Sequence, residues 1–153
     1  LQSYLNTVKT LGADARRLTI ELTETLGVED LDKADLFATK VKSMGCKFAI
    51  DDFGSGHTTF QNILALKIDM IKLDGSLVTD MTSNPHKQAF VRMMVDLAKT
   101  FNMKSIAEMV SNESDAILME RLGVDYFQGY MFGVPSATPS AEQVESKSAA
   151  AEG

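Results

Sequence analysis

Two adjacent carboxylates, Asp51 and Asp52, close the apolar run of "KFAIDDFGSGH" directly before a turn that carries Gly54 and Gly56. Like charges this close are costly when buried, because neighbouring carboxylates do not both ionise cheaply, and a bound cation resolves the conflict. Glu21, Lys72, Glu108 and Gln128 sit in the same way at or near the far ends of other short apolar runs. Together these residues form a carboxylate-rich array with a single lysine. Such an oxygen donor set suits hard divalent cations, Mg²⁺ or Mn²⁺, whereas Zn²⁺ sites usually draw on His or Cys. One carboxylate shared by two metals about 3.5–4 Å apart is a common arrangement for cleaving a phosphodiester. In a regular strand Asp51 and Asp52 would point to opposite faces. The glycine-rich turn is expected to take the chain out of the sheet after Asp51, so that Asp52 swings towards the same cluster. An acidic residue at a strand end could instead cap the helix that follows it, an alternative that weakens when the strand-end positions are taken together.

The elements that must position this set follow a steady rhythm. "RRLTIELTE", "KFAIDDFG", "DMIKLDGS", "KSIAEMVS" and "VDYFQGYMF" are short apolar runs of strand length, each reaching a polar or charged residue at or near its far end. Between them, "KADLFATKVKSM" carries Leu36, Phe37, Val41 and Met44 on one side, and "PHKQAFVRMMVDLAKTF" carries Phe90, Met94, Leu97 and Phe101 behind Pro85 at a first turn. "DAILMERL" carries Ile117, Leu118 and Leu122, and "TTFQNILAL" fills the remaining gap. Gly12, Gly45 and Gly123 follow three helices where a left-handed cap residue is expected.

Strand and helix in alternation imply parallel strands covered by helices. Glu21, Asp51, Lys72, Glu108 and Gln128 are separated by 30, 21, 36 and 20 residues, each a plausible length for one unit. Parallel strands bring their C-terminal ends to one face, as in a TIM-type β/α barrel. A full barrel needs about 250 residues. The expectation is therefore an α/β fold, a partial barrel of about five βα units with the first strands missing and the sheet completed elsewhere.

The chain has 153 residues, 44% of them hydrophobic, and a net charge of −6. The composition fits a soluble globular core, and the negative charge argues against a phosphate-coating surface and so against bulk nucleic-acid binding; a small phosphate ligand would need metal ions or a local cation. No apolar stretch of about 18 residues is present to span a bilayer, so a cytoplasmic protein, or a cytoplasmic domain of a larger one, is expected. Cys46, alone and within an apolar run, reads as a core thiol. His57 and His86 read as surface residues. The chain opens on Leu1 with a helix already under way, so its beginning is expected to be missing, and residues 136–153, rich in Ser, Ala and Glu, are expected to form a flexible tail.

The ordered series "ELTE", "DDFGSG", "IDMIKLDGSLV", "IAEMV" and "DYFQGYMFGVP" resembles the EAL family of cyclic di-GMP phosphodiesterases over residues 1–135. "DFG" alone is also a protein-kinase motif, but the Gly-rich loop, the V-A-I-K strand and the H-R-D loop of that family are absent from this sequence. The EAL resemblance implies hydrolysis of cyclic di-GMP to pGpG at a two-metal site. It implies that Glu21 and Asp51 bind the first metal, that Asp51, Asp52 and Glu108 bind the second, and that Asp51 bridges them. Lys72 would hold the nucleophilic water or the scissile phosphate. Asp74 and Gln128 would line the site, and Glu24 would support the loop from Asp52 to Thr59, which makes a homodimer plausible.

Several features depart from the family pattern, among them "DFGSGHTT" where the family has "DFGTGYSS". The Glu-Ala-Leu strand and the asparagine after it precede "ELTE" and are not in this sequence. The family's "AEGVE" stands here as "AEMVS", with Met109 for a glycine and Ser111 for a glutamate, and Val134 stands for an arginine. Three functions stay open on the sequence: a metal-dependent phosphodiesterase, a catalytically inactive cyclic di-GMP receptor, and an inert interaction platform.

Overall fold

Alternation along the strands sorts the sheet into an apolar face and a polar one. The computed structural model describes residues 2–23, 31–54 and 66–136. Five strands, β1 (Thr19–Thr23), β2 (Lys47–Phe53), β3 (Met70–Leu73), β4 (Lys104–Ala107) and β5 (Tyr126–Phe127), pair in parallel in chain order. Strand order that follows chain order is the arrangement of a β/α barrel, here an open five-stranded portion of one. The register aligns Glu21 with Ala49, Ala49 with Met70, and Lys72 with Ile106. The period of two therefore sends Phe48, Ile50, Ile71, Leu73 and Ala107 to one face, where all five are buried. Glu21, Asp51, Lys72 and, beyond the strand ends, Glu108 and Gln128 share the other face.

The helices cover the apolar face. Helix α1 (Gln2–Leu11) buries Leu5 and Val8 and ends at Gly12, whose φ of +54° opens a 3-10 turn through Arg17. Helix α2 (Leu31–Ser43) buries Ala34, Phe37, Ala38 and Val41, a stripe at three- and four-residue spacing. Leu36, expected on that side, is exposed, because it lies one helical step off the stripe and Ala34 takes the core position. After β3 comes the short helix α3 (Gly75–Val78), and then α4 (Pro85–Thr100), whose first turn is capped by Asn84 Oδ1 accepting from His86 N at 3.1 Å and Lys87 N at 3.2 Å. Val91, Met94, Val95, Leu97 and Ala98 form its buried side, while Phe101 lies one residue past its end and is exposed. Helix α5 (Glu113–Leu122) begins two residues earlier than expected because Asn112 caps it. Its core side is Met119 and Leu122, with Ile117 exposed. Gly45 and Gly123 adopt φ of +94° and +89°, the left-handed stops expected from the sequence. Cys46 is buried, and burial pushes its thiol up.

Strand β5 covers only two of the nine residues in "VDYFQGYMF". Beyond Phe127 the chain turns. Val110 N donates to Gln128 O at 3.0 Å, Met131 N donates to Val110 O at 3.1 Å, and Phe132 N closes back on Gly129 O at 3.0 Å. A Cβ on Gly129 would stand 2.2 Å from Val110 O, so only glycine permits this approach, which fixes Gln128 beside the end of β4.

Polar pairs at the opposite end of the strands set the register. Asp69 accepts from Phe48 N at 2.8 Å and from Lys42 Nζ at 2.7 Å; Asp125 accepts from Ser105 N at 2.9 Å and from Lys104 Nζ at 2.6 Å. Each aspartate stands just before its strand and ties the neighbouring strand's entry. Asp115 plays a comparable part under α5: it is buried, accepts from Thr82 N at 3.0 Å and from Asn112 Nδ2 at 2.8 Å, and so pins the turn after α3 to the start of α5. Burial alone would raise this carboxyl, but the bonds from Asn112 and Thr82 dominate and hold it below its ordinary 3.8. A lowered folded value stabilises the fold above the unfolded value and is lost as pH falls through the folded one. Asp115→Ala is therefore expected to cost about 2 kcal/mol at neutral pH, with the deficit shrinking below about pH 4; urea melts of the full-length gene product at pH 7 and pH 3 check this.

Candidate active site

Lys72 is the one charged residue in β3, and its side chain is only 5% exposed. It lies on the polar face between β2 and β4, so the carboxylates of the neighbouring strands meet it from both sides. Its Nζ reaches Glu21 Oε2 at 2.9 Å, Asp51 Oδ1 at 2.8 Å and Glu108 Oε1 at 2.8 Å. Burial pulls the ammonium's pKa down, but its bonds to Asp51, Glu108 and Glu21 more than reverse this, and the group stands above the usual lysine range. Glu108 moves the other way from an ordinary carboxylate: burial and the nearby Asp51 raise it, and Lys72 offsets only part of the rise.

Asp52 reaches the cluster by a route the sequence reading did not foresee. Strand β2 does not end at Asp51 but runs on to Phe53, and its register with β3 slips by one residue between Ile50 and Phe53. The extra residue is a bulge, and Asp52 takes φ +57° within it. Asp is among the few side chains that accept this conformation at modest cost. The bulge, rather than a departure after Asp51, re-aims Asp52, and one oxygen from each of Asp51, Asp52 and Glu108 falls within 4.8 Å of the others. Three adjacent carboxylate oxygens are a hard donor set, which fits a Mg²⁺- or Mn²⁺-type ion.

The remaining candidates divide. Gln128 stands at the end of β5, held by its N–H to Ala107 O at 2.8 Å, and helps line a pocket of about 250 Å³ with Glu108, Met109, Gly129 and Tyr130. Asp74 is occupied as a cap: it accepts from Ser76 N at 2.9 Å and from the Ser76 hydroxyl, starting α3. Glu24, Gly56, His57 and residues 55–59 of the loop tied to a homodimer lie outside the described residues, as do residues 58–65 of "TTFQNILAL" and 137–153 of the expected tail. His86 is exposed on α4.

Asp69 and Asp125 were missed as structural anchors. The signal was present in "IDMIK" and "VDYFQ", where an aspartate precedes the strand and a site residue, Lys72 or Gln128, follows three positions later.

The family profile described as EAL domain matches residues 2–135. The chain belongs to the EAL domain family. It is 33% identical over 122 residues to the cyclic di-GMP phosphodiesterase PdeF of Escherichia coli K12, covering 80% of this chain and 16% of that protein. It is 36% identical over 120 residues to the cyclic di-GMP phosphodiesterase PdeA of Borreliella burgdorferi, covering 78% of this chain and 18% of that protein. The chain thus spans under a fifth of the length of these curated relatives. Among solved structures, the PaMucR phosphodiesterase in complex with c-di-GMP superposes with a TM-score of 0.81 at 28% identity, covering 94% of this chain and 57% of that one. The Klebsiella pneumoniae BlrP1 manganese/cy-diGMP complex gives 0.79 at 28% identity, covering 88% and 34%. These EAL relatives carry the same α/β architecture. Among the described residues of this EAL chain, no helix is long and apolar enough to cross a membrane.

Proposed function

We propose that the protein hydrolyses one phosphodiester bond of cyclic di-GMP to give pGpG. The observation that carries this reading is the meeting of Lys72 with Glu21, Asp51 and Glu108 on one sheet face, with Asp52 turned in beside them by the bulge. The complexes solved for PaMucR with c-di-GMP and for BlrP1 with manganese and cyclic di-GMP support a cyclic dinucleotide substrate and a divalent cation for this chain. Glu21 and Asp51 would hold one Mg²⁺ or Mn²⁺, and Asp51, Asp52 and Glu108 a second. Ions held there would supply Lewis-acid chemistry, offsetting charge on a phosphoryl group and lowering the pKa of a bound water.

The chain's own residues do the rest. Lys72 stays protonated at neutral pH and donates from Nζ to the water or to a phosphoryl oxygen, where negative charge grows as the P–O bond breaks. Its near-complete burial keeps that donor preorganised. Gln128, positioned by Gly129, orients ligand at the rim. Asp74 acts on the site through α3, whose first turn it caps. Residues 1–135 form part of an EAL domain on this reading, and a homodimer through the loop after Asp52 goes with it.

Purified full-length gene product is expected to convert cyclic di-GMP to pGpG with Mg²⁺ or Mn²⁺, to stop in EDTA, and to recover on re-addition of metal. Chromatography of the nucleotides reads this directly. Turnover that persists in EDTA would sink the metal assignment, and tight binding without turnover would turn the reading to an inactive receptor.

A further inference from the structure

Met109 occupies a backbone position that suits a glycine. Its φ is +54°, left-handed, a conformation that disfavours an unbranched side chain without a short polar group. Among the described residues four other non-glycine residues share a positive φ, and three of them, Asp52, Asp80 and Asn102, are of types that tolerate it. Met109 is not, and it directly follows Glu108.

The side chain has a defined seat. A Cβ on Gly75 would stand 2.3 Å from Met109 Sδ and 2.8 Å from its Cγ, so the thioether lies directly on the glycine that opens α3. From there Met109 remains 67% exposed. Tyr130, also lining the pocket beside Glu108 and Gln128, is 73% exposed. Two large apolar side chains thus stand in water at the mouth of a polar site. One is held against a strained backbone, and the other is carried on the turn that Gly129 fixes against Val110.

We propose that Met109 and Tyr130 form the apolar walls of a slot that stacks one nucleobase of the substrate, making Met109 a specificity-determining residue of this chain. A thioether and a phenol ring offer polarisable surface to a flat base, and covering them removes apolar area from water. The slot adjoins Glu108, so a base seated there places its own phosphodiester near the carboxylate cluster. This inference rests on the cyclic-dinucleotide reading above.

The test is equilibrium binding to full-length gene product in Ca²⁺, using cyclic di-GMP and a cyclic dinucleotide in which 2-aminopurine replaces one base. Stacking of 2-aminopurine on the slot is expected to quench its fluorescence in the wild type. Met109→Gly is expected to weaken cyclic di-GMP at least about fivefold, from lost stacking of roughly 1 kcal/mol, and to remove most of the quench without lowering the melting temperature. Met109→Leu, which keeps an apolar wall, is expected to recover affinity to within about twofold, and Tyr130→Ala to behave like Met109→Gly. Unchanged affinity and quench in Met109→Gly would overturn the slot while leaving the cyclic-dinucleotide reading intact. A wild-type protein that binds neither ligand would overturn both.

Discussion

Lys72→Met in the full-length gene product is expected to lower cyclic di-GMP hydrolysis on the order of 1000-fold and to destabilise the metal-free protein at the same time. On the proposed reading the catalytic loss follows from removing a preorganised cation that would donate to the reacting phosphoryl group. The stability loss has a separate cause. Methionine has nearly the volume of lysine and fills the space, so packing changes little. What it leaves is Glu21, Asp51 and Glu108 gathered around an apolar tip, each having lost a partner at 2.8–2.9 Å. Breaking a buried ion pair from one side costs about 3–5 kcal/mol. Glu21, 44% exposed, keeps water as an alternative partner, so a figure of about 2–3 kcal/mol is expected here. On the proposed reading Mg²⁺ or Mn²⁺ would bind the same carboxylates and should restore much of the melting temperature without restoring turnover. A variant that is as unstable with metal as without it would argue against the carboxylates as ligands. Turnover near the wild-type rate would remove Lys72 from the chemistry.

The sequence exposed the sheet more fully than the site. Short apolar runs of strand length alternating with helical segments, and the spacing from Glu21 to Gln128, were enough to read parallel strands whose ends converge, because run length and helical periodicity are local properties of the chain. Local irregularities were harder to see. The bulge at Asp52 depends on the pairing of β2 with β3, a relation between residues some twenty positions apart that no single run displays. The shortness of β5 depends on Gly129 meeting the Val110 backbone, another non-local contact. Helix faces were placed to within one step, and Leu36 and Ile117 went to the wrong side because small residues such as Ala34 were not weighed as core. Asp74 read as a site-lining residue, whereas its Oδ1 is engaged in capping α3. Met109 was legible as a departure from the family pattern, yet its meaning needed the backbone angle.

Asp51→Asn makes the sharpest contrast with the lysine variant. On the proposed reading Asp51 is the carboxylate shared by both metals, so the neutral amide, with one oxygen in place of two, should abolish turnover to background at any accessible Mn²⁺ concentration. Stability should hardly move. Lys72 keeps Glu21 and Glu108 as partners, at 2.9 and 2.8 Å, and the amide oxygen can still accept from Lys72 Nζ and from Asp52 N. Removing one charge also relieves the repulsion that raises Glu108, so the melting temperature of the metal-free protein should stay within a few degrees of wild type or rise. The two variants therefore separate the roles: loss of the cation costs chemistry and stability, whereas loss of the shared carboxylate costs chemistry alone. Melting curves with and without Mn²⁺, taken beside turnover, read the difference. If Asp51→Asn kept measurable turnover and an unchanged metal-induced rise in melting temperature, the bridging role would fall. The adjacency of Asp51 and Asp52 would then serve only the bulge, whose left-handed residue an Asp tolerates better than most.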